Sequence, residues 1–343
     1  MKGLWKYISP FAPDQSGAAS VFYGLQGIVV ICDAGGCAGN ICGFDEPRWF
    51  SGRKSAVFSA GLRDMDAIMG RDDRLVAKIC QAVDHVQAAF IAIVGTPVPS
   101  VIGTDYQALK RMIAKKVSIP VITVDTTGMG LYDKGMEAAY KAVCSQFIEP
   151  LAVPKKNMVG VWGAIPLEFM HPMDGNKIVD ILQKDAVDKV VLFDCLDDYR
   201  QAGAVTKNIV ISPAGLEAAQ YVYKIFGIPY ECRYFGNDNL LTNDIVLQDK
   251  SVLIVHQQVA ALDMAKKVRA LGAKQVITAS WFMAKKELLS FPHIYLKEED
   301  DFCQLVQEGS FDVIIGDIYF KRAIPHFTGV YIDYPHFAVS GRE

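Results

Sequence analysis

Short apolar runs punctuate the chain, and between them apolar residues recur at three- and four-residue spacing. The first run is Ile28–Ile31; others lie at 88–99, 119–128, 157–165, 189–195, 209–212, 251–257, 274–280, 293–296, 312–318 and 329–335. Continuous apolar runs that end in Gly, Pro or a polar group predict strands buried on both faces. The stretches between them predict helices. One begins near Ser16 and ends by Leu25, and in the next Leu75, Ile79, Ala82, Val83 and Val86 share a face. Thr104 or Asp105 is the expected N-cap of a helix over 104–117. More helices are expected over 134–151, closed by Pro150, and over 176–186, 214–227, 259–272, near 281–289 and over 300–309. Gly227 followed by Pro229 is a stop signal. Strand and helix alternate throughout, which predicts an α/β fold of three Rossmann-like α/β/α units with parallel sheets. Breaks at 152–157 and in the polar stretch 236–250 give expected domains of 1–153, 154–248 and 249–343.

Composition narrows the function. The chain has 343 residues, of which 51% are apolar and 21% charged, so a large core is expected and disorder is not. A net charge of −3 provides no basic field for a nucleic acid backbone. The apolar runs are broken by Gly, Pro or charge before they reach membrane-spanning length. The first residues carry no apolar export signal, so a cytoplasmic location and reduced thiols are expected. Cys80, Cys144, Cys195, Cys232 and Cys303 are scattered through apolar contexts and read as small buried hydrophobes.

The other three cysteines cluster. Strand Ile28–Ile31 runs into Cys32, the pair Gly35–Gly36, Cys37, Cys42 and then Asp45, Glu46 and Arg48. A strand, a glycine turn and polar groups form a site beyond the carboxyl end of a strand in an open α/β sheet. Cys37 is the first candidate metal ligand, Cys42 its neighbour and Cys32 the competitor, since a strand that continues through Cys32 turns its side chain into the sheet layer. The alternatives are a structural thiol cluster and a redox pair, although the x4 spacing is not that of thioredoxin-like sites. Gly35 and Gly36 let a cofactor approach the backbone closely. The order Gly35, Gly36, Gly39 is not a dinucleotide fingerprint, and no G-x-x-x-x-G-K-[ST] loop is present. Arg48 is a candidate for holding an acidic substrate group, and Asp45 or Glu46 for donating protons; a salt-bridged supporting loop is the competing reading. Arg63, Asp64 and Asp66 are expected nearby. His85 reads as a packed or surface residue, and His171 is a weaker site candidate facing a central cleft.

Several segments, in order, resemble the nitrogenase component 1 superfamily. They are DAGGC ending at Cys37, TPVPSVIGTD from Thr96 to Asp105, Gly227–Tyr230, DVIIGD from Asp312 to Asp317, and the closing DYPHFAVSGR. The resemblance implies a metal–sulfur cluster at a subunit interface, a central cleft and an ATP-dependent, nitrogenase-reductase-like iron protein as electron donor. The departures are specific. Pro13 and Pro97 stand where the family has two further cluster cysteines, and Ser212 stands where it has the thiolate that anchors the nitrogenase cofactor; His336 lies near the second anchor. Nitrogen fixation is therefore not expected. A [4Fe–4S] cluster needs about four ligands, so one formed by Cys37 and Cys42 must be shared across a homodimer or a similar heterodimer. The expected function is an iron–sulfur oxidoreductase component acting on a small-molecule substrate. The alternatives are a scaffold or carrier for a metal cluster or tetrapyrrole-type cofactor and, less favoured by the loop cysteines, a solute-binding protein.

Overall fold

A computed structural model describes residues 5–52, 54–149, 157–172, 174–237, 239–241 and 245–342. Among these residues, thirteen strands form three all-parallel sheets. In the first, β1 (Ile28–Ile31) lies between β2 (Ala56–Ser59) and β3 (Ile91–Val94), with β4 (Val121–Val124) outside β3. In the second, β5 (Met158–Trp162) lies between β6 (Lys189–Val191) and β7 (Lys207–Val210), with β8 (Tyr230–Cys232) at the edge. In the third, β9 (Ser251–Val255) is central, with β10 (Gln275–Ser280) and β11 (His293–Tyr295) on one side and β12 (Val313–Gly316) and β13 (Val330–Asp333) on the other. In each sheet the chain leaves a central strand, builds one side, then crosses to build the other. Each sheet therefore has a topological switch point at the carboxyl end of its central strand, where open α/β sheets bind ligands.

The continuous apolar strands are explained by burial on both faces. Every residue of β1, β3 and β5 is buried. Helix α1 (Asp14–Tyr23) is also buried along its whole length, although it carries Asp14, Gln15, Ser16 and Ser20. It crosses the helix Tyr132–Phe147 at two glycines. A Cβ on Gly17 would lie 1.9 Å from the Tyr132 carbonyl oxygen, and one on Gly135 would lie 1.7 Å from that of Asp14. Only glycine allows the two backbones to come this close. Asp14 accepts from the amides of Thr127 and Gly128, at 3.0 and 2.7 Å.

Some elements differ from expectation. Where a helix is expected near 281–289 there is only a one-turn 3-10 segment, Lys286–Leu288. Tertiary bonds take the backbone groups a helix needs: Met283 N–H donates to Asp133, and the Gln258 amide bonds both N–H and C=O of Lys285. Trp281 and Phe282 pack instead on Phe11 from the N-terminal segment. Strand β8 escapes a sequence reading because it is a short edge strand, only partly buried. The break expected at 152–157 and the Pro150 stop fall on residues 150–156, outside the described residues, except for Asn157.

Candidate functional site

The cysteine segment leaves β1 at the first switch point. It is not a loop. Gly36–Asn40 is a helical turn, α2, which runs directly into a π-helical turn, Ile41–Asp45. Gly35, at φ 122°, makes the turn before it in a conformation suited to glycine. Asp33 is buried and fixes the start of α2: its carboxylate accepts from Ala38 N–H at 2.8 Å and from the Ser59 hydroxyl at 2.6 Å. The far end is held from α1. Ser16 donates to Asp45 at 2.5 Å and Ser20 to Glu46 at 2.5 Å. The buried polar residues of α1 thus grip the polar cluster that follows Cys42.

The three thiols have different surroundings. Cys32 is 1% exposed, continues the β1 ladder through its amide to Val94, and packs with Leu75 and Tyr106. Burial, followed by the charge on Asp33, pushes its thiol up to about 12. Cys37 and Cys42 are half-buried. Burial and then Asp33 raise the Cys37 thiol, partly offset by the Thr96 hydroxyl beside it; burial and then Glu46 raise that of Cys42. Such thiols stay protonated until a metal displaces the proton.

Pro97 and Pro13 each adjoin residues that link back to Cys37 through Thr96 and Gly128. Thr96 touches Cys37, a Cβ on Gly128 would lie 2.3 Å from Pro97, and the Gly128 amide bonds Asp14. Cys37 alone of these three positions is a thiol. Among the described residues, no group of three metal-ligating atoms forms around Cys37 or Cys42; the group that does form is Asp194, Cys195 and Asp198. Cys195 is thus half-buried beside two acids rather than a core hydrophobe, whereas Cys144 is buried as expected.

The surface around Cys37 is open and apolar. A Cβ on Gly35, Gly36, Gly39 or Gly43 would meet nothing within 4 Å. All four connections leaving the carboxyl end of the first sheet expose large apolar residues: Phe44 after β1, Met65, Ile68 and Met69 after β2, Val98, Val101 and Ile102 after β3, and Met129 after β4. Val101 and Met129 are each 86% exposed. Apolar surface concentrated in this way marks an interaction face.

Arg48 is held tightly. Its Nε and Nη2 each donate to Glu46 at 2.7 Å, Nη2 also donates to the Ser20 carbonyl at 2.7 Å, and the guanidinium lies 4.6 Å from the Tyr23 ring centroid. Glu46 is fully buried. The same arginine lines a cavity of about 270 Å³ between the first and second sheets, together with Tyr23, Lys54, Phe169, Asn176 and Asp194. Lys54 pairs with Asp194 across it at 3.1 Å. Arg63 and Asp64 are exposed, and Asp66 pairs with Arg74 at 2.9 Å while capping the short helix Asp64–Met69. His85 and His171 are exposed; the amide of His171 bonds Asp174 at the start of the helix Asp174–Lys184.

The second and third switch points meet in a buried polar cluster; the sequence singles out Ser212 and His336 but not Glu168, Tyr132 or His256. After β5, the 3-10 turn Pro166–Glu168 aims Glu168 at Ser212, which follows β7 and donates to the carboxylate. Tyr132, which opens the helix Tyr132–Phe147, bonds His336 Nε2 at 3.0 Å, and His336 stacks on His256, which follows β9, at 4.4 Å. Gln257 ties the two switch points together by donating to the Ile211 carbonyl at 2.7 Å. Glu168, Ser212, Tyr132, His256 and His336 are all buried. Desolvation pushes Glu168 up to about 8, opposed by Ser212, and lowers His256 to about 4. A lone glutamate in an apolar stretch just beyond a strand, GAIPLEFM, was the available signal.

Three parallel sheets with converging switch points, and a cysteine-bearing helical turn at the first, define a layered α/β protein of the nitrogenase-like class. The model of the nitrogenase component 1 type oxidoreductase family matches residues 14–239, and the chain belongs to that family. The family typically binds metal–sulfur clusters. Among curated relatives, the nitrogenase iron-molybdenum cofactor biosynthesis protein NifE of Nostoc sp. is 24% identical over 233 residues, 61% of this chain and 46% of the relative. The protein of that name from Clostridium pasteurianum is 26% identical over 198 residues, 56% of this chain and 42% of the relative. The chain spans less than half the length of these relatives. A nitrogenase Cp1 structure at pH 6.5 superposes with a TM-score of 0.73 at 12% identity, covering 97% of this chain and 87% of that one. A second, at pH 5, gives 0.71 at 15%, covering 96% and 84%. Both share its fold. Among the described residues, no helix is long and apolar enough to cross a membrane.

Proposed function

We propose that this protein is an electron-accepting oxidoreductase component that works as a homodimer, or with a similar chain as a heterodimer. An ATP-dependent, nitrogenase-reductase-like iron protein would supply the electrons, and a small molecule other than dinitrogen would be reduced. The carrying observation is the half-buried pair Cys37 and Cys42 at the first switch point, at the end of a sheet whose four connections all expose large apolar residues. The donor set suits iron–sulfur chemistry: two accessible thiols on a helical turn with open glycines, and a third thiol sealed in the core. Two thiols are half of what a [4Fe–4S] cluster requires, and a two-fold axis supplies the other half. Cys37 and Cys42 from each of two chains would hold the cluster, with Gly35 and Gly36 lying against it. When bound, it would supply one-electron storage.

This chain's other residues have defined tasks in that reading. Ser16 and Ser20 hold the segment in place, and the Thr96 hydroxyl steadies Cys37. Arg48, anchored by Glu46, lines the cavity together with Lys54, and two cations make a suitable wall for a substrate carboxylate. Asp45, half-buried and bonded to Ser16, is raised by burial and is the stronger proton-donor candidate of the two acids there. We place the protein in the cytoplasm, where its thiols stay reduced.

The relatives named for cofactor biosynthesis favour a second reading, a scaffold or carrier that holds a metal cluster or tetrapyrrole-type cofactor without turnover. Anaerobic reduction with and without a reductase-type iron protein, followed by electron paramagnetic resonance, separates the two. An oxidoreductase component gives a signal that appears with ATP and partner and decays when substrate is added. A signal that never responds to the partner supports the carrier.

A further inference from the structure

We propose that Glu168 is a proton-loaded carboxylic acid, and that Glu168, Tyr132 and His336 form an internal proton reserve for the reduction. As a proton source for substrate reduction it rests on the oxidoreductase reading; the protonation state of Glu168 does not.

The argument is geometric. Glu168 is completely buried, and no lysine, arginine or histidine among the described residues forms an ion pair with it. Its Oε1 is bonded by the Ser212 hydroxyl, and its Oε2 has no hydrogen-bond partner. A carboxylate in such a place would carry an uncompensated buried charge, and such groups take up a proton instead. The groups facing it reinforce this. From the helix Tyr132–Phe147 come Tyr132, Asp133 and Tyr140, the acid adding negative charge. From the segment after β8 comes Tyr234, whose hydroxyl donates to the Glu168 carbonyl at 2.8 Å. His336, just before the short helix Phe337–Ser340 that packs on the Glu168 turn, is held neutral by burial and by His256. Helix α1 also packs there, but its Asp14 and Tyr23 are bonded to the Thr127–Gly128 amides and to the Arg48 carbonyl. Among the described residues, no cation offsets a charge on Glu168.

The hydroxyl of Tyr132 lies against Glu168 and is bonded to His336 Nε2 at 3.0 Å, while His336 Nδ1 has no partner. Glu168 and His336 thus stand on either side of one phenol, and each has one polar atom without a partner. The turn that carries Glu168 also forms the wall of the 270 Å³ cavity through Pro166 and Phe169. Release is a proton hop without redox change. The reduced substrate takes the Nδ1 proton of His336, Tyr132 hands its own proton to His336 Nε2, and the Glu168 O–H bond breaks to reprotonate Tyr132, so that His336 stays neutral and Glu168 is left as the carboxylate. Uptake from solvent restores the acid.

The test uses the metal-free chain, so it does not depend on any cluster or partner. Infrared spectroscopy at pH 6.5 should show the C=O band of a buried protonated carboxyl. The band should disappear in Glu168→Gln, which keeps the Ser212 bond, and persist in Asp133→Asn, which removes the other buried acid nearby. On transfer to D₂O the band should shift, and Tyr132→Phe should slow that shift severalfold without removing the band. An absent band, or one that survives Glu168→Gln, overturns the loaded acid. An unchanged exchange rate in Tyr132→Phe overturns the relay.

Discussion

Replacing Arg48 with Met removes the cation that faces Glu46 while keeping most of the side-chain volume. Glu46 is fully buried and the Arg48 side chain is 18% exposed. The substitution therefore leaves a carboxylate in the interior with the Ser20 hydroxyl and the residue 48 amide as its remaining donors. Breaking a buried ion pair from one side costs about 3–5 kcal/mol, and the partial exposure of the arginine places this one near the lower end. Loss of the guanidinium over Tyr23 adds about 0.5–1 kcal/mol. The expected total of about 4 kcal/mol is a large share of an ordinary domain's stability of about 5–15 kcal/mol. The assay is anaerobic urea unfolding of Arg48→Met, Glu46→Gln and the double variant. The single Arg48 variant should lose most, and the double should recover to within about 1 kcal/mol of the parent, because no unpaired charge remains. A loss below about 1 kcal/mol in Arg48→Met would mean that the arginine does not hold this segment.

Other outcomes follow from the same structure. In metal-free protein, Cys37 and Cys42 should react with a thiol reagent under native conditions, and Cys32 only after unfolding; mass mapping of the alkylated protein reads this out. Gly17→Ala should destabilise the fold by more than about 2 kcal/mol in thermal unfolding, because the new methyl group meets the Tyr132 backbone. The pH dependence of stability should have two flanks. Glu168 sits higher in the fold, at about 8, than in an unfolded chain, so its stabilisation is complete below about pH 4.5 and is lost as pH rises towards 8. His256 sits lower in the fold, at about 4, so its contribution is complete above about pH 6.5 and is lost as pH falls towards 4. Melting temperature against pH should therefore lose its alkaline flank in Glu168→Gln and keep its acid flank.

Much of the architecture was legible because a doubly covered parallel strand must be a continuous apolar run. Ile28–Ile31, Ile91–Val94 and Val313–Gly316 stand out for that reason. The Asp105 cap was readable because its side chain bonds amides two and three residues on. What failed depends on distant partners. The 281–289 segment has helical composition, but Asp133 and Gln258 claim its backbone groups. The turn that carries Cys37 and Cys42 is helical because Asp33, Ser16 and Ser20 hold its two ends, and two of those three lie outside the cysteine motif. Glu168, Ser212, His256 and His336 are scattered over 169 positions and meet only because the second and third switch points converge. No spacing rule reports such a meeting.

The central claim is that Cys37 and Cys42 of two chains share one iron–sulfur centre. The most direct measurement is the iron and acid-labile sulfide content of anaerobically prepared protein, taken with its sedimentation mass, for the parent and for Cys37→Ala. The account predicts a dimer with roughly two iron and two sulfide per chain, both lost in the variant. A parent whose iron is unchanged by Cys37→Ala, or which carries its full iron as a monomer, would contradict it.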